Sequence, residues 1–314
     1  MENWKILIAD GLDESGQAVL SAAAQVDNFP NISPAELLNT IDCYDAVIVR
    51  SRTKVTAEVI QAATNLKVVG RAGVGVDNID LAAARQHNVR VVNTPQSTSL
   101  AVAELTMALL LSTARMVPLA DAGLKNGKWL KKQLEGVELS QKVLGIIGIG
   151  NIGAAVARRA AAFGMQILAY DIARPASGID DASGAELVTL DELLARSDYI
   201  SLHIPLTDST RYIINAETLA KAKPGVRLVC AARGGVIDES ALLQALNNGQ
   251  VAAAALDVFE HEPPGLSDLV AHPSVICTPH IGAQTQEAQG RAAQDIATEV
   301  LAALNGAKLR WQVA

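Results

Sequence analysis

A strand-like run with no polar break, Val143-Leu144-Gly145-Ile146-Ile147, passes directly into Gly148-Ile149-Gly150-Asn151-Ile152-Gly153 and then into the helical pattern of 154–163. Few chain paths accommodate that order. Gly148 permits the tight turn out of the strand, Gly150 leaves the backbone open to close approach, and Gly153 lets the helix lie close against the strand. The helix N-terminus then presents unpaired N–H donors and the positive end of its dipole, which suits a pyrophosphate. Glycines in this spacing also mark ordinary turns, so the surroundings must decide between the two readings. The next strand-like run, 166–170, ends at Asp171, 18 residues after Gly153 and close to where an acid meets the adenosine ribose. Asp171 can accept hydrogen bonds from the 2′- and 3′-hydroxyls and would repel a 2′-phosphate. The expected cofactor is therefore NAD rather than NADP, with Arg174 in the following loop able to offset the repulsion only in part.

The same strand–helix rhythm runs through the rest of the chain. Short apolar runs at 5–9, 46–49, 67–70 and 89–92 alternate with helical patterns. Ser33-Pro34-Ala35-Glu36 has the chemistry of a helix start: Ser33 caps free N–H groups, Pro34 fits the first turn and Glu36 completes a capping box, with a helix to about Ile41. Asn93-Thr94-Pro95 interrupts the rhythm, and a hinge is expected near residue 98. One long Ala/Leu-rich helix follows from Ser99 to about Leu119, with Pro118 near its end. A second series of strands is predicted at 142–147, 166–170, 199–203, 227–231, 252–258 and 275–278, then a last helix over about 285–305. Crossover helices must lie against the sheet they connect, so each series predicts a parallel sheet covered on both faces.

At 314 residues the chain is long enough for two domains, each with its own core. Only 3% of residues are aromatic against 50% apolar, so those cores are built from Ala, Val, Leu and Ile. A net charge of −7 argues against a surface that tracks nucleic-acid phosphates, and no nucleic-acid partner is expected. Cys43, Cys230 and Cys277 are odd in number and lack metal-ligand spacing, which predicts neither a disulfide framework nor a metal site and suits a reducing cytoplasm. The segment Met1-Glu2-Asn3-Trp4-Lys5 lacks the basic and long apolar regions of a signal peptide. The longest apolar stretch, 105–112, is too short to cross a bilayer, so the expectation is a soluble protein without a membrane partner.

Hydride transfer from an alcohol needs a base for the hydroxyl proton and a cation for the carboxylate and nascent carbonyl. Arg233, Glu262 and His280 each follow a predicted strand of the second series, where open α/β sheets place their ligands. Singly, each has an ordinary explanation: a surface Arg, a solvated loop acid, a capping or core imidazole. Together, beside a nucleotide loop, they read as a site.

Five blocks in order, 69–78, the glycine loop, 231–239, 256–259 and 278–283, resemble the D-isomer-specific 2-hydroxyacid dehydrogenases over almost the whole chain. The resemblance implies an α/β architecture of two doubly wound parallel-sheet domains. A Rossmann NAD-binding domain, 99–286, is inserted in a flavodoxin-like substrate-binding domain made of 1–98 and 287–314. It implies His280 as acid–base group, Glu262 as its orienting carboxylate and Arg233 as the holder of the substrate carboxylate and carbonyl oxygen. Backbone N–H groups around Val74 and Gly75 are assigned to the substrate carboxylate. Gly148, Gly150, Asn151, Ile152, Gly153 and Asp171 are assigned to NAD, joined by Val74, Ile204, Ala231, Ala232 and His280, and Asp257 to the nicotinamide carboxamide.

Within that family the likeness is strongest to members that oxidise 3-phosphoglycerate to 3-phosphohydroxypyruvate in serine biosynthesis. Arg50 and Arg71, after two strands of the first series, resemble their phosphate-binding positions, because a phosphate dianion needs cations beyond Arg233. Lys131 and Lys132, in a segment that often lies at the family's dimer interface, could add charge from a neighbouring subunit, although the ordinary reading is a pair of surface lysines; a homodimer is expected. Where those members often read Asn-Cys-Ala-Arg, this chain has Cys230-Ala231-Ala232-Arg233, so an amide is lost just before the site. The chain stops at Ala314, and a C-terminal regulatory domain with serine feedback is expected to be absent. Glyoxylate or hydroxypyruvate reduction is the alternative activity, and an NAD-sensing corepressor-like binding role the alternative outside enzymes.

Overall fold

The computed structural model describes residues 4–174, 178–180 and 183–314; Met1, Glu2 and Asn3, read above for a leader, lie outside the described residues. The chain divides into two units, Met1–Ser99 with Ala283–Ala314, and Leu100–Gly282.

The first unit alternates β1 (Lys5–Ile8), α1 (Glu14–Ser21), β2 (Gln25–Asn28), α2 (Pro34–Thr40), β3 (Ala46–Val49), α3 (Ala57–Ala62), β4 (Val68–Arg71), α4 (Leu81–Gln86) and β5 (Arg90–Asn93). All its strand pairs are parallel, in the order β2-β1-β3-β4-β5, the doubly wound arrangement of flavodoxin-like sheets. The capping box forms as the sequence predicts: Ser33 N donates to Glu36 Oε2 at 2.8 Å and Glu36 N to Ser33 Oγ at 3.2 Å. The edge strand β2, Gln-Val-Asp-Asn, escapes a reading based on apolar runs because edge position leaves none of its residues fully buried.

The second unit contains α5 (Ser99–Arg115, whose first residue belongs to the first unit), α6 (Val117–Lys125), β6 (Val143–Ile147), α7 (Asn151–Ala162), β7 (Gln166–Tyr170), the short strands β8 (Ile179–Asp180) and β9 (Ala185–Leu187), α8 (Leu190–Arg196), β10 (Tyr199–Leu202), α9 (Ala216–Lys221), β11 (Val226–Cys230), α10 (Glu239–Asn247), β12 (Val251–Leu256), α11 (Asp268–Ala271) and β13 (Val275–Cys277). Its sheet runs β13-β12-β11-β10-β6-β7-β9-β8. Only the β8–β9 pair is antiparallel, and the strand order reverses at β6, so the crevice for a ligand opens at the carboxyl ends of β6 and β10.

The long helix expected to reach about Leu119 is instead broken at Met116, which takes the left-handed conformation at φ 51°. Pro118 accounts for the break, since its ring excludes the carbonyl four residues back and it has no N–H to give. That carbonyl, on Ala114, accepts from Val137 N at 3.0 Å instead. No single helix among the described residues is long and apolar enough to cross a membrane.

The chain returns to the first unit as α12 (Gln286–Leu304), capped by Thr285. Small residues let it approach closely: a Cβ on Gly16 of α1 would lie 2.5 Å from the Ala293 carbonyl oxygen, and one on Gly70 of β4 would lie 2.5 Å from Val300 Cγ2. Its one buried carboxylate, Glu299, accepts from Arg310 Nε at 2.6 Å and Arg310 N at 2.9 Å, so the charge is paired where it is desolvated.

Candidate active site

In the second unit the three glycines of the loop meet three different surroundings. Gly148 has φ 94°, and a Cβ there would lie 2.7 Å from the His203 carbonyl oxygen; one on Gly153 would lie 2.1 Å from the Gly148 carbonyl oxygen. A Cβ on Gly150 would meet nothing within 4 Å. Gly150 is also the N-cap of α7 and offers no side chain to it, so the helix start at Asn151, Ile152 and Gly153 is left for an outside acceptor. Asp171, at the end of β7, accepts from Ile149 N at 3.0 Å and Ala173 N at 2.9 Å, which holds the carboxylate beside the loop. Arg174 is exposed and its guanidinium pairs with buried Asp180, which Ser183 Oγ also bonds at 2.5 Å. These groups fit the pyrophosphate and ribose of a dinucleotide.

His203 follows β10 directly and was not singled out by sequence. Its Nε2 lies 2.8 Å from Ser201 Oγ, while its Nδ1 is sealed from solvent without a hydrogen-bond partner among the described residues. Burial pushes its pKa down to about 4, so the ring is neutral near pH 7. The signal available was position: His203 and Ile204 leave the strand next to β6, at the reversal of strand order.

Arg233, Glu262 and His280 lie on the loops after β11, β12 and β13. His280 Nδ1 and Glu262 Oε2 are 2.7 Å apart, and Glu262 Oε1 accepts from Phe259 N at 3.2 Å. Burial pushes the Glu262 carboxyl up, but the hydrogen bond and charge of His280, the Phe259 N–H and the charge of Arg233 outweigh it and hold the group below its ordinary value. The Arg233 loop reaches this pair because Gly234 has no side chain: a Cβ there would lie 1.8 Å from the Phe259 carbonyl oxygen. Arg233 Nη1 donates to the Ala232 carbonyl at 2.7 Å. Ala231 is buried and Ala232 partly so, while burial pushes the neighbouring Cys230 thiol up to about 11 and leaves it un-ionised.

His280 has φ 53°, a conformation that a non-glycine residue keeps only when its surroundings impose it. Asp257, 1% exposed, imposes it by accepting from Thr278 Oγ1 at 2.6 Å, Ile281 N at 2.9 Å and Gly282 N at 2.8 Å. The carboxylate assigned by resemblance to the nicotinamide carboxamide thus carries three bonds to the histidine loop.

Arg50, Arg71, Val74 and Gly75 belong to the first unit. Arg71 ends β4 and Arg50 follows β3, and because Val49 pairs in register with Arg71 the two arginines emerge from neighbouring strand ends. Arg50 Nη2 donates to Gln284 Oε1 at 3.3 Å, whereas Arg71 Nη1 donates to the Ala72 carbonyl at 2.8 Å and lies across Gly73, where a Cβ would come within 1.5 Å of it. Val74 and Gly75 are partly exposed in the next turn, which Asn93 Nδ2 holds through the Val74 carbonyl at 2.6 Å. Lys131 and Lys132 are exposed in the second unit.

Residues 107–282 match the family model described as D-isomer specific 2-hydroxyacid dehydrogenase, NAD binding domain. A D-3-phosphoglycerate dehydrogenase of Synechocystis is 46% identical over 311 residues, which is 98% of this chain but 56% of that protein, so the chain spans little more than half the length of that relative. A hydroxypyruvate reductase of Thermotoga maritima is 46% identical over 96% of this chain and 98% of its own. Among solved structures, a glyoxylate reductase from Paecilomyes thermophila superposes with a TM-score of 0.90 at 32% identity, covering 100% of this chain and 99% of that one.

Proposed function

This chain belongs to the D-isomer-specific 2-hydroxyacid dehydrogenase family, and from that premise we propose that it oxidises D-3-phosphoglycerate to 3-phosphohydroxypyruvate with NAD, as the oxidative entry to serine biosynthesis. The observation that carries the chemistry is the His280–Glu262 pair, whose Glu262 loop is packed against that of Arg233. His280 Nε2 takes the proton of the substrate hydroxyl. The imidazolium so formed is stabilised through Nδ1 by Glu262, which is kept ionised by the contacts that lower its pKa. Arg233 holds the carboxylate and draws charge onto the nascent carbonyl oxygen. NAD, when bound, would supply the acceptor for the hydride that leaves C2. Gly150 and the start of α7 would take its pyrophosphate and Asp171 its adenosine ribose, with Ile204, Ala231 and Ala232 beside it in the second unit and Val74 the contribution assigned to the first.

Arg50 and Arg71 support a phosphorylated substrate, since planar guanidinium forks suit a phosphate dianion, with Val74 and Gly75 supplying backbone donors for the carboxylate. We assign substrate binding to 1–98 and 287–314 and NAD binding to 99–286. The apolar side chains that α6 leaves in solvent, with Trp129 after it at 78% exposed, support a homodimer, and three free thiols suit a reducing cytoplasm. The Thermotoga maritima relative, matched nearly end to end, favours hydroxypyruvate reduction as a second reading.

A panel of phosphoglycerate, glycerate, lactate, hydroxypyruvate and glyoxylate with both nicotinamide cofactors, followed at 340 nm, tests these readings. Phosphoglycerate with NAD is expected to give the highest kcat/KM. Arg71→Ala is expected to lower the phosphoglycerate-to-glycerate ratio of kcat/KM by about tenfold or more, the scale of one charge-assisted pair. An unchanged ratio removes the phosphate assignment. Tight NAD binding without turnover of any member of the panel would instead indicate a binding role.

A further inference from the structure

Glu262 sits on an exposed loop, its side chain 37% accessible, yet it must present its carboxylate to His280 in one geometry. Beyond the Phe259 N–H that Glu262 itself accepts, side-chain contacts that anchor this loop come from Glu260, two residues earlier. Glu260 Oε1 accepts from Glu239 N at 3.0 Å, and Glu239 Oε1 accepts in return from Glu260 N at 2.6 Å. Glu260 Oε2 accepts from Tyr212 Oη at 3.0 Å, and Tyr212 N donates to the Gly235 carbonyl at 2.9 Å from a left-handed conformation at φ 50°. Glu239 opens α10, so these bonds join the loops that follow β10, β11 and β12.

We propose that Glu260, through its reciprocal bonds with Glu239 and its bond to Tyr212, is a positioning residue that sets the separation of Arg233 from the Glu262–His280 pair. The assignment rests on the catalytic roles proposed above. Stability alone is a poor reason for this arrangement. Burial raises the Glu239 pKa, and the Glu260 N–H bond and the His261 charge only partly offset that burial and the repulsion of the Glu260 carboxylate, so the group stays raised and is held there at a cost. What the arrangement secures is relative placement: the Arg233 loop touches the Phe259 carbonyl through Gly234, and Phe259 N in turn bonds Glu262.

Glu260→Ala is expected to lower kcat by about 100-fold, the scale of a displacement near 1 Å at a reacting centre, while the NADH dissociation constant stays unchanged. The acid limb of kcat/KM for oxidation is expected to move to lower pH, because a loosened Glu262 gives less support to the imidazolium form of the base His280. Glu260→Gln keeps the Oε1 acceptor and is expected to recover kcat to within about threefold of the parent. A folded Glu260→Ala protein with parental kcat and acid limb overturns the proposal. So does equal loss in the Ala and Gln variants with the acid limb unmoved.

If Glu260→Ala does not fold, Tyr212→Phe removes one of the three bonds, and a few-fold loss of kcat with a smaller shift of the acid limb is expected; parental values for both then overturn the proposal. If the parent protein turns over no 2-hydroxy acid, the catalytic reading fails independently. The clamp is then read from the ¹³C titration of the Glu262 carboxylate, identified by its absence in Glu262→Gln. A rise of its pKa in Glu260→Ala, or in Tyr212→Phe where the former does not fold, supports the clamp, and an unmoved titration overturns it.

Discussion

Gly150 and Gly153 lie three residues apart in one loop, and the structure assigns them different sensitivities to the same substitution. An added Cβ at Gly153 would lie 2.1 Å from the Gly148 carbonyl oxygen. To restore ordinary contact, the start of α7 and the turn before it must separate by about 1 Å or more, an overpacking expected to cost about 1–3 kcal/mol. For a unit of this size each kcal/mol lowers Tm by about 2–4 °C, so a fall of several degrees is expected for Gly153→Ala. Gly150, at φ −74°, can become Ala without backbone strain, and its Cβ meets nothing within 4 Å. The only expected cost to the free protein is a poorer N-cap, below about 1 kcal/mol. A pyrophosphate resting on that backbone, however, would meet the new methyl group directly. Loss of one close contact is expected to weaken NADH binding by about 10- to 100-fold, or 1.4–2.8 kcal/mol. Thermal melts of the free proteins and fluorescence titration with NADH separate the two effects. Gly153→Ala should lose both stability and affinity, Gly150→Ala affinity alone. Parental NADH affinity in Gly150→Ala would refute the placement of the pyrophosphate on this loop.

The Glu262 carboxyl is held below its ordinary value, so the stability it contributes is present above that value and is lost as pH falls through the depressed one. Thermal melts of Glu262→Gln should therefore fall below the parent near neutral pH and converge with it at strongly acid pH, and its kcat should fall by about 100-fold through loss of the orienting carboxylate. His203, pushed down to about 4, stays neutral in the fold while the unfolded chain takes up a proton near 6.5, so stability should decline as pH falls across that interval, by up to about 3 kcal/mol. His203→Asn should flatten this part of the stability profile; an equally steep profile would remove the assignment. Leu124, 61% exposed on α6, is expected to contribute to the dimer, and Leu124→Glu should shift the sedimentation profile towards monomer at micromolar concentration.

The glycine loop, Asp171 and the strand-end positions of Arg233, Glu262 and His280 were legible because each depends on local order: a strand, then a turn, then a helix. Glycine spacing reports where backbone must turn or be approached, and that requirement survives in the sequence without knowledge of partners. The parallel sheets followed from the same rhythm, since crossover helices must cover the strands they join. The break at Met116 was less legible. Pro118 announced a disruption, but the position of the break depends on the Ala114 carbonyl finding Val137. Edge strand β2 and the short strands β8 and β9 carried too few apolar residues to register, because pairing to a neighbour rather than burial makes them strands.

Sequence by itself determined the two parallel sheets, the dinucleotide loop and the residue types available for hydride transfer. Tertiary structure alone decided how those residues are held. Asp257 is committed to the histidine loop, Cys230 is buried and un-ionised, His203 is neutral, and Glu239 and Glu260 each accept the other's backbone N–H between loops 21 residues apart. The physical reason is that a hydrogen bond or a desolvation shift belongs to a pair of groups brought together by folding. Residue spacing along the chain carries no record of that meeting unless a local turn or helix makes it.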